Sequence, residues 1–167
     1  KDGLTGLMLA AGSGHAAMVQ AVLASGKSEL EATENGDGAT AFLVACSMGH
    51  VECMEALIAA GCDTAVHDKT GRTGVQLASS HGHTRAADFL GLLALKSDAA
   101  ELMSSAQYDK AKAMLKKALV LSPGNVEFQS MLGDTEREAK QAHEEAEQRV
   151  KVAEAELLAM LDAESGT

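Results

Sequence analysis

The segment TGLMLAAGSGH (5–15) comes back as TAFLVACSMGH (40–50) and again as TGVQLASSHGH (73–83). Recurrence constrains a fold more than composition does, because a repeated unit must make the same contacts with its neighbours each time. The register is tight. Gly3, Gly38 and Gly71 align, as do Thr5, Thr40 and Thr73, then Ala10, Ala45 and Ala78, then the pairs Gly14-His15, Gly49-His50 and Gly82-His83. The offsets are 35 and 33 residues, and GKSELEATEN (26–35) supplies the two extra residues relative to GCDTAVHD (61–68). A period near 33 residues is the mark of a solenoid.

Within each unit the apolar pattern suits two short helices. Leu7, Leu9 and Ala10 are expected to be buried by the first, and Met18, Val19, Val22 and Leu23 recur at helical spacing on the second. The middle unit repeats this with Phe42, Val44 and Ala45, then Cys53, Met54, Leu57 and Ile58. Gly26 and Gly61 follow the second helix, where a left-handed cap suits glycine. Helix pairs this short cannot bury an apolar face alone, so neighbours must stack.

DKTGRTGVQLASSHGH (68–83) follows the frame D-x-x-G-x-T-P-L-H-L-A-A-x-x-G-H at most positions. Residues 1–94 therefore resemble three ankyrin repeats (1–35, 36–68 and 69–94). The resemblance implies an L-shaped stack of helix pairs with hairpin fingers. It also implies that Gly14, His15, Gly49, His50, Gly82 and His83 form the turn within each pair, with histidine tying neighbouring backbone together. The family's Pro is replaced by Gly6, Ala41 and Gly74, and its His by Met8, Leu43 and Gln76. Less rigid and less well-capped helix starts are expected as a result.

Past Lys96 the repeat stops. Ser97 has the character of an N-cap, with Asp98 in the first turn, and QYDKAKAMLKKALVL (107–121) is amphipathic up to Ser122-Pro123-Gly124-Asn125. Residues 95–125 resemble a single tetratricopeptide hairpin, with Ala99 and Leu102 on one helix and Ala111, Leu115, Ala118 and Pro123 fitting the second. That hairpin is expected to dock directly on the repeats. Residues 126–167 read as a long acidic helix carrying a narrow stripe at Ala139, Ala142, Ala146, Val150, Ala153 and Leu157. The fold class is all-α.

Charge and composition narrow the function. The net charge is −10, with −5 over 1–95, +2 over 96–125 and −7 over 126–167. Phosphate is repelled, so nucleic acid is not an expected partner. No apolar run approaches the length of a membrane span, so no membrane insertion is expected. Aromatics are confined to Phe42, Phe89, Phe128 and Tyr108, which leaves Ala and Leu to fill the core. Cys46, Cys53 and Cys62 are an odd number in one cluster, which argues for a reducing intracellular compartment, the cytoplasm first. The chain starts at Lys1 in mid-pattern and reads as a piece of something longer, so an organelle stays open.

Cys46-x3-His50-x2-Cys53 holds liganding residue types, but each has a packing role in the repeat, and no metal, cofactor or catalytic site is expected. No phosphate loop is present: GDGAT (36–40) is a turn. The expected function is a non-enzymatic adaptor or scaffold binding a protein partner. The resemblance places its contacts on finger tips and the concave face of the first helices. Of those positions, Asp37, Met48, Lys69, Thr70, Arg72 and His81 are the candidates, and Leu157, Leu158 and Leu161 are candidates on the long helix. The alternatives are a structural subunit of a large assembly held by that helix, and a regulatory fragment of a longer enzyme.

Overall fold

The computed structural model describes residues 3–26 and 30–165, with side chains described as far as Met160. Among these residues the regular structure is helical throughout, and the one β-bridge pairs His67 with Thr73 at the base of a finger. The chain divides into two compact units, Lys1–Leu93 and Ala94–Thr167.

The first unit holds α1 (Gly6–Gly12) and α2 (Ala16–Ala24), α3 (Ala41–Met48) and α4 (Val51–Ala59), α5 (Gly74–Ser80) and the first half of α6 (Thr84–Ser104). Helix α1 packs on α3, α3 on α5, and α2 on α4. Leu7, Met8, Phe42, Leu43, Met54 and Leu57 are the large buried side chains between them. With so few aromatics, close approach is achieved by Ala11, Ala45 and Ala78, all fully buried.

The recurrent residues have recurrent jobs. Thr5, Thr40 and Thr73 each cap a first helix: their hydroxyls accept from the N–H of Met8, Leu43 and Gln76 at 3.2, 3.3 and 3.4 Å. The expectation of poorly capped starts needs correction at two of the three. Met8 Sδ and Gln76 Oε1 reach back to the N–H of Thr5 and Thr73 and close capping boxes. Only the Leu43 start lacks the reciprocal bond, because an aliphatic side chain offers no acceptor. At the other end, Gly14, Gly49 and Gly82 adopt φ of 72°, 73° and 78°, a left-handed conformation that strains any other common residue. This turn lets the N–H of His15, His50 and His83 bond the carbonyls of Ala10, Ala45 and Ala78 at 3.1, 3.0 and 2.9 Å.

Gly74 stands where the family places proline, and its surroundings give a reason. A Cβ there would lie 2.8 Å from Cys46 Sγ and 3.2 Å from Phe42 Cε1. At Gly6, the equivalent position of the first repeat, nothing would lie within 4 Å. The wider residues Phe42 and Cys46 in the middle repeat have taken the volume that a side chain at 74 would need.

In the second unit, the expected break at Ser97 is absent. Helix α6 runs unbroken from Thr84 to Ser104. Serine competes for a cap only where the backbone is already turning. Here Leu92–Lys96 and Asp98–Met103 flank it with mostly good helix formers and no proline, so the helix carries through at a cost of a few tenths of a kcal/mol. The turn comes at Ala106, left-handed with φ 57°, where the Gln107 N–H bonds the Leu102 carbonyl at 2.8 Å. Helix α7 (Tyr108–Leu121) then pairs with α8 (Val126–Ser165) across the Ser122–Asn125 turn, and Asn125 Oδ1 caps α8 by accepting from the Phe128 N–H at 3.1 Å. Ala99, Ala111, Leu115, Ala118, Phe128 and Thr135 are buried in this unit. The 40-residue α8 extends about 60 Å at 1.5 Å per residue.

The Gly74 contacts give a test. Gly74→Ala is expected to destabilise the first unit by about 1–2 kcal/mol, since overpacking outweighs the gain from restricting glycine. In a Cys46→Ala background the same substitution should cost little or nothing. Gly6→Ala, in open space, should stabilise by about 0.5 kcal/mol. Urea unfolding of the four variants measures all three, and equal effects at positions 6 and 74 would refute the packing explanation.

Candidate interaction surface

The finger between α4 and α5 is built around one carboxylate. Asp68 is almost fully buried. Its Oδ1 accepts from the Thr70 hydroxyl at 2.7 Å and from the N–H groups of Thr70 and Arg72, both at 2.9 Å, while Oδ2 receives Arg72 Nε and Nη2 at 2.7 Å. These donors, the Thr70 hydroxyl foremost, hold the Asp68 carboxyl well below the usual carboxylate range. In the preceding finger Asn35 occupies the equivalent position, and Glu34 caps the loop instead, accepting from the Gly36 N–H at 2.8 Å. That bond and the nearby amides lower the Glu34 carboxyl as well.

The two fingers are pinned to each other. Lys69 Nζ donates to the carbonyls of Asn35 and Gly36 at 2.6 and 2.9 Å, and its N–H donates to the Asp37 carbonyl at 2.8 Å. Behind them, Glu31 Oε1 accepts from the Asp63 N–H at 2.9 Å, and Arg85 bridges to Glu52 at 3.0 Å. These partners lie 32 to 34 residues apart, one repeat along the chain. Lys69, Thr70 and Arg72, singled out by the sequence as contact residues, are thus engaged inside the fingers. Asp37 is exposed at its finger.

On the first helices, Met48 ends α3 with 53% of its surface exposed. His81 occupies the equivalent place on α5, where Nδ1 donates to the Leu77 carbonyl at 2.8 Å and the ring stacks on His83 with centroids 6.3 Å apart. In the first repeat the place is taken by Ser13. The expectation that Leu9 is buried with Leu7 and Ala10 needs correction: Leu9 is exposed, as are Met18 of the second helix's apolar pattern and Val75 of α5. Their counterparts in the other repeats are better covered, so aligning the repeats points to burial and no sequence signal marks them.

The turn histidines do not converge. His50 lies against the preceding repeat: Nε2 donates to the Gly12 carbonyl at 3.2 Å, and a Cβ on Gly14 would come within 2.8 Å of its ring. His83 sits under Gly49 in the same way, with its ring 2.6 Å from a Cβ placed there. Each glycine is needed twice, for its positive φ and for the ring beneath it.

Among the described residues, no three His, Cys, Asp or Glu side chains come together to hold a metal ion. Cys46 and Cys53 are buried and Cys62 partly so, all three as free thiols. Burial pushes Cys46 up to about 12 and Cys62 to about 11, the latter helped by Glu31 and Asp63, and it raises Cys53. Burial disfavours the thiolate, so these thiols are weak nucleophiles at neutral pH.

On α8, every described residue from His143 to Met160 is exposed, including Leu157 and Leu158. Of the predicted stripe, Ala139 and Ala142 are half-buried, and Ala146, Val150, Ala153 and Leu157 face solvent. The side chain of Leu161 lies outside the described residues. No helix among them is long and apolar enough to cross a membrane.

Short helix pairs stacked at a fixed period and joined by hydrogen-bonded fingers define a helical repeat solenoid, a class whose working surface is its exposed loops and helix faces. The repeat itself is the ankyrin repeat. The family model described as ankyrin repeats (3 copies) matches residues 7–105, and the chain belongs to that family. Ankyrin repeats generally serve as protein–protein interaction modules. No curated protein matches the chain.

Two predictions follow from this geometry. His50→Ala should cost about 1–2 kcal/mol, from one buried-side hydrogen bond and the lost ring packing, whereas His15→Ala should change stability by less than about 0.5 kcal/mol. Chemical denaturation separates them, and equal losses would contradict the stacking role. The second concerns acid. Because the folded Asp68 carboxyl is depressed, its contribution is complete above the unfolded value near pH 4 and is lost as pH falls below it. Asp68→Asn should therefore lower the melting temperature at pH 7 and flatten its decline between about pH 5 and pH 2. A parallel decline in both proteins would exclude Asp68 as the titrating group.

Proposed function

We propose that the chain is a non-enzymatic adaptor or scaffold, intracellular, that binds a protein partner through the concave face and fingers of its ankyrin repeats. The observation that carries the reading is Met48, exposed at the C-terminal end of α3, in a repeat stack whose fingers are fixed by Asp68 and Lys69. A large apolar side chain on a pre-ordered frame loses little entropy on binding, and binding energy concentrates in such anchors. His81, held by the Leu77 carbonyl, is a second ordered group. Asp37, Lys69 and Thr70 contribute exposed finger edges and Arg72 a half-buried one, with Lys69 and Arg72 acting through loop geometry as well as contact. The net charge of −10 disfavours nucleic acid, and free buried thiols suit a reducing compartment.

The domain reading is ankyrin repeats over 1–94, a tetratricopeptide-like hairpin over 95–125 and a long helix over 126–167. Burial of Ala99, Ala111, Leu115 and Ala118 supports the hairpin. A second reading, a subunit of a larger assembly anchored by the helix, is favoured by the exposure of Leu157 and Leu158, with Leu161 continuing the same segment.

Quantitative affinity purification separates the two. Met48→Glu with His81→Ala should reduce recovery of the bound protein at least about tenfold, while deletion of residues 140–167 leaves it unchanged. The opposite pattern supports the assembly subunit and rejects the adaptor.

A further inference from the structure

Helix α8 outruns the unit that covers it. Ala139 and Ala142 are half-buried, and every described side chain from His143 to Met160 is exposed. The helix face that is covered at Phe128, Thr135 and Ala142 continues as Ala146, Val150, Ala153, Leu157 and Met160, at spacings of three and four. Val150, Leu157 and Met160 leave 56%, 59% and 66% of their surface in solvent. Bulk along this stretch is graded. Its near end is Ala146, its middle holds Val150 and Ala153, and its far end is Leu157 and Met160. Charge is patterned as well. Arg149 and Lys151 stand in the middle of the five acids of 143–160. Arg149 borders a mainly apolar groove lined also by Glu145, Gln148, Val152, Ala153 and Glu156.

From this we propose that the distal half of α8 is a self-association surface, pairing antiparallel with α8 of a second copy of this chain about a two-fold axis between Lys151 and Val152. In this register Ala146 faces Leu157 of the second copy, and Val150 faces its Ala153. Each layer then sets a large residue against a small one. A parallel pair would stack Ala146 on Ala146 and Leu157 on Leu157, with a gap at one level and crowding at the other. The charges fit the same register. Arg149 and Glu156 lie along one edge of the apolar face, seven residues apart. The two-fold brings Arg149 of one copy to within about 3 Å of the level of Glu156 of the other, at 1.5 Å per residue. Its aliphatic stem covers Val152 and Ala153, and its guanidinium meets the carboxylate. On the opposite edge Lys151 comes as close in level to Glu154 of the second copy, which offsets the approach of Glu147 to that carboxylate. The axis doubles every contact, and the isologous surface closes at two copies. An unrelated helix would have to supply the reversed gradient of bulk and the reversed order of charge together, whereas α8 itself carries both.

Analytical ultracentrifugation of the full chain over a concentration series tests this, with substitutions confined to exposed side chains. The chain should sediment as a monomer–dimer equilibrium. Arg149→Glu and Glu156→Arg should each weaken the dimer at least about tenfold, because each sets like charges together twice. The double variant should return to within about threefold of the original, since both pairs re-form with their signs exchanged. A parallel pair, in which these two positions do not meet, predicts no such recovery. Leu157→Asp should abolish the dimer. None of these substitutions touches the ankyrin surface, so the outcome is read separately from the adaptor proposal. A double variant no tighter than either single one overturns the antiparallel pairing, and so does a dimer that survives Leu157→Asp. A chain that stays monomeric up to about 1 mM returns the face to a foreign partner and overturns the proposal outright.

Discussion

One contact organises the first unit: an imidazole of one repeat laid against the glycine turn of the repeat before it. His50 under Gly14 and His83 under Gly49 are the same contact one step apart. It works only if the glycine has no Cβ, since a methyl group there would come within 2.6–2.8 Å of the ring. It also requires the left-handed turn that glycine adopts without strain. Steric and conformational demands thus fall on one residue, which is why the Gly-His pair survives where the surrounding sequence varies.

Around that contact the repeats have traded volume with one another. The middle repeat carries Phe42 and Cys46, and the third gives up its side chain at Gly74. Such an exchange is invisible to a family frame, which scores each position alone. It also explains why loss of the family's proline is tolerated: Thr73 and Gln76 close a capping box at the same helix start, so the orphan amides are satisfied without a rigid ring. The Cys46 thiol belongs to this packing, and burial pushes it up to about 12.

Much of the first unit was legible from the sequence, because periodicity, threonine caps and glycine turns are local signals. What escaped were the choices that depend on tertiary context. Ser97 looks like a cap, but the helix-forming runs Leu92–Lys96 before it and Ala99–Met103 after it carry the helix through. Lys69, Thr70 and Arg72 look like free contact residues, yet a buried carboxylate and two backbone carbonyls 33 and 34 residues away claim them. Sequence spacing cannot show which partner a long cationic side chain selects. Met48, at the position of α3 equivalent to His81 on α5, is exposed.

The two units hold their surfaces by different physics. In the first, exposed groups are fixed by bonds between repeats, so order there is a property of the array. In α8 the described residues beyond Ala142 are exposed. Starting a free helix in water is unfavourable, because nucleation is costly. Here nucleation has already occurred in the buried first turns around Phe128 and Thr135, and each further residue need only propagate it. Ala, Glu, Gln and Lys do so at small cost, helped by pairs such as Lys140–Glu144 and His143–Glu147 one turn apart. The five acids and two bases of 143–160 keep that extension solvated without any tertiary contact. Leu157, Leu158 and Met160 contribute nothing to it, and their cluster is therefore the one part of α8 that its own stability does not explain.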